Sequence, residues 1–156
     1  MARCRLAFGR GSGPGGQHRN KVQTAVRITH ESTGVSGEAT ERRSQQENRR
    51  MAIFRLRVNL ALEVRHPPPP DGAPPSERWR ARSRGGRLAI NGGHDDFPAL
   101  LAEALDVLAV HDEEPSRAGD RLGVSTSQLI KLLKIEPRAL EQVNRARAER
   151  GLHRLR

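Results

Sequence analysis

Gly9-Arg10-Gly11-Ser12-Gly13-Pro14-Gly15-Gly16-Gln17-His18-Arg19-Asn20-Lys21 is the stretch on which the reading of this chain turns. Five glycines and one proline stand among its first eight positions, and a glutamine and basic residues follow. Glycine reaches backbone angles that a Cβ makes costly, and it lets a backbone approach another molecule closely. So dense a run serves as a mobile tip, a phosphate cradle or a strained functional turn. The flanking sequence decides between them.

Upstream, Cys4, Leu6 and Phe8 alternate with Arg3, Arg5 and Ala7, the period of two that marks a half-buried strand with Cys4 facing the core. Downstream, one or two helical turns are expected between His18 and Thr24. Ala25 to His30 alternates again, with Val26 and Ile28 inward. Glu31-Ser32-Thr33-Gly34 carries turn chemistry, and Val35 to Ala39 reads as a return strand. Ser44-Gln45-Gln46-Glu47 is a capping box, a serine N-cap with glutamate three residues on. It opens a helix expected over Gln45 to Val64, with Ile53, Leu56, Leu60 and Val64 on the buried face and Phe54 and Val58 widening it. Pro67 forbids continuation. The expectation is an α+β unit, a small antiparallel sheet covered by one long helix.

That context removes the nucleotide readings. Gly11, Gly13 and Gly16 satisfy G-x-G-x-x-G after a strand, with Glu31 at a tempting distance. A dinucleotide site needs a helix directly after the loop and then a parallel strand, and about seven residues are too few for that crossover. A phosphate-binding P-loop needs Gly-Lys-Ser/Thr, which does not follow.

Ser12-Gly13-Pro14-Gly15-Gly16-Gln17-His18-Arg19-Asn20-Lys21 closely resembles the signature of the catalytic domain of class I peptide-chain release factors. The resemblance runs without a gap through Ala25 to His30, Thr33-Gly34, Arg43-Ser44-Gln45 and Asn48, and covers roughly residues 3 to 65. It implies a domain that enters the ribosomal peptidyl-transferase centre and hydrolyses the ester joining a nascent peptide to tRNA. It implies Gly15, Gly16 and Gln17 as the catalytic tip, with the Gln17 backbone N–H stabilising developing charge and its side chain positioning water. It implies RNA contacts for Arg10, Ser12, Gly13, His18, Arg19, Asn20, Lys21 and Arg43. Pro14 and Arg19 depart from many release factors, in which those positions are small or apolar. The codon-reading region and preceding helical domain of those factors have no counterpart here, so release without stop-codon reading, as in ribosome rescue, is expected.

Beyond the first domain, taken as 1–66, residues 67–77 form a proline-rich linker expected to be polyproline II. Residues 78–95 form an arginine-rich connector around Trp79, which reads either as an RNA-facing stacking ring or as an anchor onto the first domain. Arg87 to Ile90 is expected to add an edge strand. Residues 96–156 read as a small helical domain. Asp96 is expected to cap a helix through Val110, a short helix spans Ser116 to Leu122, and Ser125-Thr126-Ser127-Gln128 caps another. Pro137 starts the last. Helix, Leu-Gly-Val-Ser turn and helix resemble a helix-turn-helix. Non-enzymatic RNA or DNA binding by that segment is the alternative function.

Composition bounds the rest. The 156 residues carry a formal charge of +10, which points to a polyanionic partner. Hydrophobic content is 35%, so any core is small. The lone Cys4 excludes an intrachain disulfide and fits a reducing, cytoplasmic compartment. No apolar run approaches a membrane span, so no membrane association is expected. The glycine stretch starts at residue 9, so no removable leader is expected. His18 and His30 lack a ligand cluster, so neither a metal nor another cofactor is expected. The resemblance implies large-subunit rRNA and peptidyl-tRNA on the ribosome as partners, engaged by a monomer, with a stalled ribosome or a split large subunit as the expected target.

Overall fold

The computed structural model describes residues 3–9, 24–67, 70 and 72–156. The fold is α+β, in two compact units spanning Met1–Glu63 and Val64–Arg156.

In the first unit, strands β1 (Cys4–Gly9), β2 (Ala25–His30) and β3 (Ser36–Ala39) make an antiparallel sheet in the order β1-β2-β3. Leu6 lies opposite Ile28, and Ile28 opposite Gly37. The β2–β3 turn closes through the His30 N–H on the Val35 carbonyl at 2.8 Å, with Gly34 at φ 74°. Helix α1 (Gln45–Glu63) starts where the capping serine sets it: the Ser44 hydroxyl accepts from the Glu47 N–H at 3.4 Å.

Helix α1 lies on β2 and β3. Its buried sheet-facing residues are Ala52 and Leu56, which join Val26, Ile28, Val35 and Ala39 in one core, with Leu6, Met51 and Leu60 at its margin. Leu56 and Val58 are buried and Leu60 packs on the core as expected, but the rest of the expected face is corrected. Ile53 is 41% exposed, and Phe54 and Val64 are only half-buried. The reason is Gly37. A Cβ there would stand 2.3 Å from both the Ala52 carbonyl oxygen and the Leu56 nitrogen. The helix backbone rests directly on the strand, so the residues that fit beneath it are small.

Cys4 is exposed and Phe8 is 47% exposed, against the expectation that β1 buries one face. The alternation is present, but α1 covers β2 and β3 and leaves most of β1 uncovered. On the far edge, α1 side chains occupy carbonyls of β3. Asn59 donates to the Ser36 carbonyl at 2.7 Å and Arg55 to the Glu38 carbonyl at 2.7 Å. One helical turn matches two strand residues, so this pair covers an edge that would otherwise invite another strand.

The second unit contains α2 (Glu77–Arg82), a hairpin of β4 (Ser83–Arg84) and β5 (Arg87–Leu88), α3 (Phe97–Val110), α4 (Pro115–Leu122), α5 (Thr126–Ile135) and α6 (Pro137–Glu149). Trp79 is 0% exposed, and its indole Nε1–H donates to the Leu122 carbonyl at 2.8 Å. It is therefore not an exposed stacking ring, and its indole is held within the second unit. The segment around it is helical because Ser76 caps α2, accepting from the Trp79 N–H at 3.1 Å. The strand expected at 87–90 pairs with β4 in a separate two-stranded sheet. Asp96 precedes α3 without a side-chain cap, and its carboxylate instead pairs with Arg82 at 2.9 Å. Ser125 caps α5 as expected, accepting from the Gln128 N–H at 3.3 Å. In the proline-rich segment the Pro70 and Ala73 carbonyls both accept from Arg121.

Gly37→Ala is expected to destabilise the first unit by about 3 kcal/mol or more, since overpacking against backbone cannot be relieved by a rotamer change. Gly34→Ala, at positive φ with open space around it, is expected to cost only about 1 kcal/mol. Amide hydrogen exchange at Val26 and Ile28 measures both, and equal effects would refute the close-contact account.

Candidate functional site

Of the site residues read from the sequence, Arg10, Ser12, Gly13, Gly15, Gly16, Gln17, His18, Arg19, Asn20 and Lys21 lie outside the described residues. The short helix expected between His18 and Thr24 falls almost wholly there too. What the structure defines is the frame on either side.

The chain leaves β1 at Gly9 and re-enters the sheet at Ala25, and these two residues face each other in the β1–β2 ladder. The downstream side is held by Asn48, whose side chain is 0% exposed. Its amide nitrogen donates to the Thr24 carbonyl at 2.7 Å and to the Arg42 carbonyl at 2.9 Å. Its amide oxygen accepts from the Arg42 N–H at 2.9 Å. Asn48 sits in the first turn of α1, on the same face as Ala52 and Leu56, so the close approach over Gly37 carries it inward. An amide offers two donors and an acceptor in one plane, and all three are used. One side chain thereby fastens the residue before β2 and the bend before α1 to the start of the helix.

Arg43 lies in the exposed bend at residues 41–43. Arg42, Arg49 and Arg50 are exposed as well, and no acid pairs with any of the four among the described residues. All four cluster at the N-terminal end of α1, where the helix dipole disfavours positive charge by a few tenths of a kcal/mol or more. The arrangement is unfavourable to the isolated fold and suited to an incoming anion. Asn48 places this cluster at the end of the unit where residues 10–23 depart and return.

The same bend is tied to α1 from its other side. Glu41 accepts from the Thr40 N–H at 2.9 Å and from Arg55 at 2.7 Å. Slight burial pushes the Glu41 carboxyl up, but the hydrogen bonds from its own and the Thr40 backbone and the Arg55 guanidinium outweigh this and hold it below its ordinary value. Both side chains are at least 40% exposed, so the tie is a weak one.

His30 belongs to the β2–β3 turn, its Nδ1 lying 2.7 Å from the Thr33 hydroxyl. Among the described residues no group of His, Cys, Asp and Glu is disposed to hold a metal ion. No helix among them is long and apolar enough to cross a membrane. Sequence reasoning quoted Asn48 as part of a motif without a role. The signal that could have found it is a polar residue on the inward face, four positions after the capping serine.

A family model described as RF-1 domain matches residues 1–83. A chloroplastic peptide chain release factor of Arabidopsis thaliana is 53% identical over 57 residues, which are 36% of this chain and 12% of that protein. Peptide chain release factor 1 of Acidiphilium cryptum is 47% identical over 64 residues, 41% of this chain and 18% of the relative. Peptide chain release factor 2 of Aromatoleum aromaticum is 48% identical over 65 residues, with the same shares. The chain thus matches between 12% and 18% of the length of these relatives.

Asn48→Ala is expected to cost about 2–4 kcal/mol, because it strands buried partners at Thr24 and Arg42. Asn48→Asp is expected to be worse at neutral pH, since a carboxylate would face two carbonyl oxygens. Its pKa in the folded state is then raised above the unfolded value of about 3.9. The variant therefore regains stability as pH falls and loses it as pH rises through that window. Urea titrations at several pH values check this, and a pH-independent deficit would contradict the assigned hydrogen bonds.

Proposed function

The chain belongs to the RF-1 domain family, and from that membership we propose that it hydrolyses the peptidyl-tRNA ester on the ribosome, releasing the nascent peptide without reading a stop codon. The observation that carries the reading is the frame around residues 10–23. Asn48 secures Thr24 and Arg42, and four exposed arginines, with no acid paired to them among the described residues, stand at that same end of the unit.

In this proposal Gly15 and Gly16 allow the backbone to present the Gln17 N–H to the oxygen on which charge develops. A donor placed there in advance lowers the barrier because it need not reorganise during reaction. Water attacks the ester carbonyl carbon, the bond to the tRNA ribose oxygen breaks, and that oxygen leaves with a proton. The Gln17 side chain orients the attacking water and excludes other nucleophiles. An amide is no general base, so positioning by the protein and surrounding RNA supplies the acceleration. Arg10, Ser12, Gly13, His18, Arg19, Asn20, Lys21 and Arg43 hold rRNA, chiefly at phosphates, a contact that orients without reading sequence.

Release independent of a codon is the finer part of the proposal. The chain is proposed to act as a cytoplasmic monomer with no resident cofactor. The α4–α5 segment is proposed to have helix-turn-helix character, supported by Gly123 at φ 68° between a helix that ends and one capped by Ser125.

The test is peptide release from ribosomes holding peptidyl-tRNA with an empty A site and no stop codon. Gly16→Ala is expected to lower the rate by about 10²-fold or more, the scale of losing one oxyanion donor. Gln17→Ala is expected to lose less, because its backbone N–H remains. Full activity in both variants would sink the catalytic assignment, and dependence on a stop codon would sink the finer reading.

A further inference from the structure

The chain holds a second glycine-rich turn, Arg84-Gly85-Gly86-Arg87, just beyond the stretch that the family match covers. Gly85 and Gly86 have φ of 56° and 75°, the pair of positive angles that a two-residue hairpin turn needs. Arg84 and Arg87 are cross-strand partners, both exposed, and no acid pairs with either among the described residues. Like charges directly opposite each other destabilise a ladder, so the hairpin presents this pair at a cost to itself.

The hairpin is fixed to α5. The Ser125 N–H donates to the Gly86 carbonyl at 3.0 Å, and the Leu88 N–H to the Gln128 side-chain oxygen at 3.3 Å. Further along, Gly92 lies so close to Ile135 that a Cβ there would meet its Cγ2 at 2.7 Å. Gln128 and Ile135 therefore mark the flank of α5 against which this segment runs. Lys131 is one turn from each. With Ser127 and Lys134 it forms an exposed stripe at spacing i, i+4, i+7, while Leu129, Leu132 and Leu133 face the core.

Residues 78–94 and 121–135 together contain eight Arg or Lys and no Asp or Glu. Two of the eight are otherwise engaged: Arg82 pairs with Asp96, and Arg121 holds the Pro70 carbonyl at 2.9 Å. The acids of this unit gather largely in Asp95–Asp120. Trp79 and Phe97, the only Trp, Tyr or Phe residues of this unit, are both buried, so neither is available for unpaired bases to stack on.

We propose that Arg84 and Arg87 on the hairpin, with Lys131 and Lys134 on the adjoining flank of α5, form a phosphate-binding surface for double-helical RNA. The charge calls for a phosphate backbone, and the burial of both large aromatic rings favours a duplex over a single strand. The choice of RNA over DNA rests on the ribosomal function proposed above. This surface belongs to the second unit, whereas the arginines at the start of α1 belong to the first, and it would add affinity without sequence readout.

The experiment is salt-dependent binding of the full chain to a blunt RNA duplex of roughly 20 base pairs, followed by fluorescence anisotropy without ribosomes. It therefore stands apart from peptide release. A variant carrying Arg84→Gln, Arg87→Gln, Lys131→Gln and Lys134→Gln is expected to bind at least about tenfold more weakly at about 0.1 M salt. Its slope of log affinity against log salt should be shallower by about three. A control with the same charge loss elsewhere, Arg117→Gln, Arg145→Gln, Arg154→Gln and Arg156→Gln, is expected to change the slope by less than about one. Unchanged Trp79 emission shows that the fold survives, and Arg84→Lys with Arg87→Lys should retain binding. Equal slopes for the two quadruple variants would overturn the surface, and so would loss of binding in the lysine variant. Equal or tighter binding of a DNA duplex of the same sequence would overturn its assignment to RNA.

Discussion

The first unit depends on the contact between a helix backbone and a glycine. Helix α1 can lie on β3 only because Gly37 has no side chain, with the Ala52 carbonyl and the Leu56 nitrogen occupying the space a Cβ would need. Interiors are packed densely enough that such an approach fixes the helix's rotation as well as its distance. The rotation then decides what the first turn turns inward. It is Asn48, a polar residue that burial would penalise heavily unless every donor and acceptor were satisfied. Satisfying it draws Thr24 and Arg42 to the helix. One steric allowance therefore propagates to the position of the backbone on which the candidate site is mounted.

Electrostatics in the two units follow different logics. In the first, exposed arginines gather at a helix N-terminus that disfavours them, which is evidence for an anionic partner and not for stability. In the second, charge is partly internal. Arg147 is buried and donates to the His153 carbonyl at 2.8 Å and to Glu114 at 3.1 Å, while Asn144 accepts from the Leu155 N–H at 2.7 Å. Together they strap residues 152–156 onto α6. Arg65 and Asp106 pair at 3.2 Å, yet burial dominates both, raising the Asp106 carboxyl and lowering the Arg65 guanidinium. Such a pair contributes more to placing the chain after α1, where the His66 N–H also donates to Asp106, than to net stability.

How much of this was legible follows from what sequence patterns encode. The three strands and the bounds of α1 were readable because alternation, turn residues and the Ser44 capping box are local. The buried face of α1 was readable at Leu56, Val58 and Leu60 but not at Ala52 or Ile53, because the pattern favours bulky residues and the packing was decided by a glycine 15 positions before Ala52. Cys4 was placed inside for a related reason: alternation identifies a face without saying what covers it. Trp79 was misread because its arginine-rich neighbours suggested a solvated arm, whereas its partner, the Leu122 carbonyl, is 43 residues away. The residues from Arg10 to Lys21 were legible only through resemblance. Their roles rest on family membership and on the frame that holds them, with Arg43 the single site residue whose surroundings the structure describes.

The proposed chemistry makes the demand on this fold an unusual one. A general base must be aimed by its own rotamer, whereas a backbone N–H is aimed by the chain on either side of it. A fold that delivers a backbone group therefore needs fixed ends more than it needs supporting side chains around the group. The described residues meet that need at Gly9 and Ala25, which the sheet holds opposite each other, and at Thr24, which Asn48 holds from the helix. The glycines between can then be chosen for the angles they allow, with the surrounding RNA supplying the walls. On this reasoning a mutation at Asn48 or Gly37, neither of which is proposed to touch the substrate, reaches catalysis through the geometry of the ends. Its effect should grow with how far the anchor is displaced, not with the chemistry of the side chain removed.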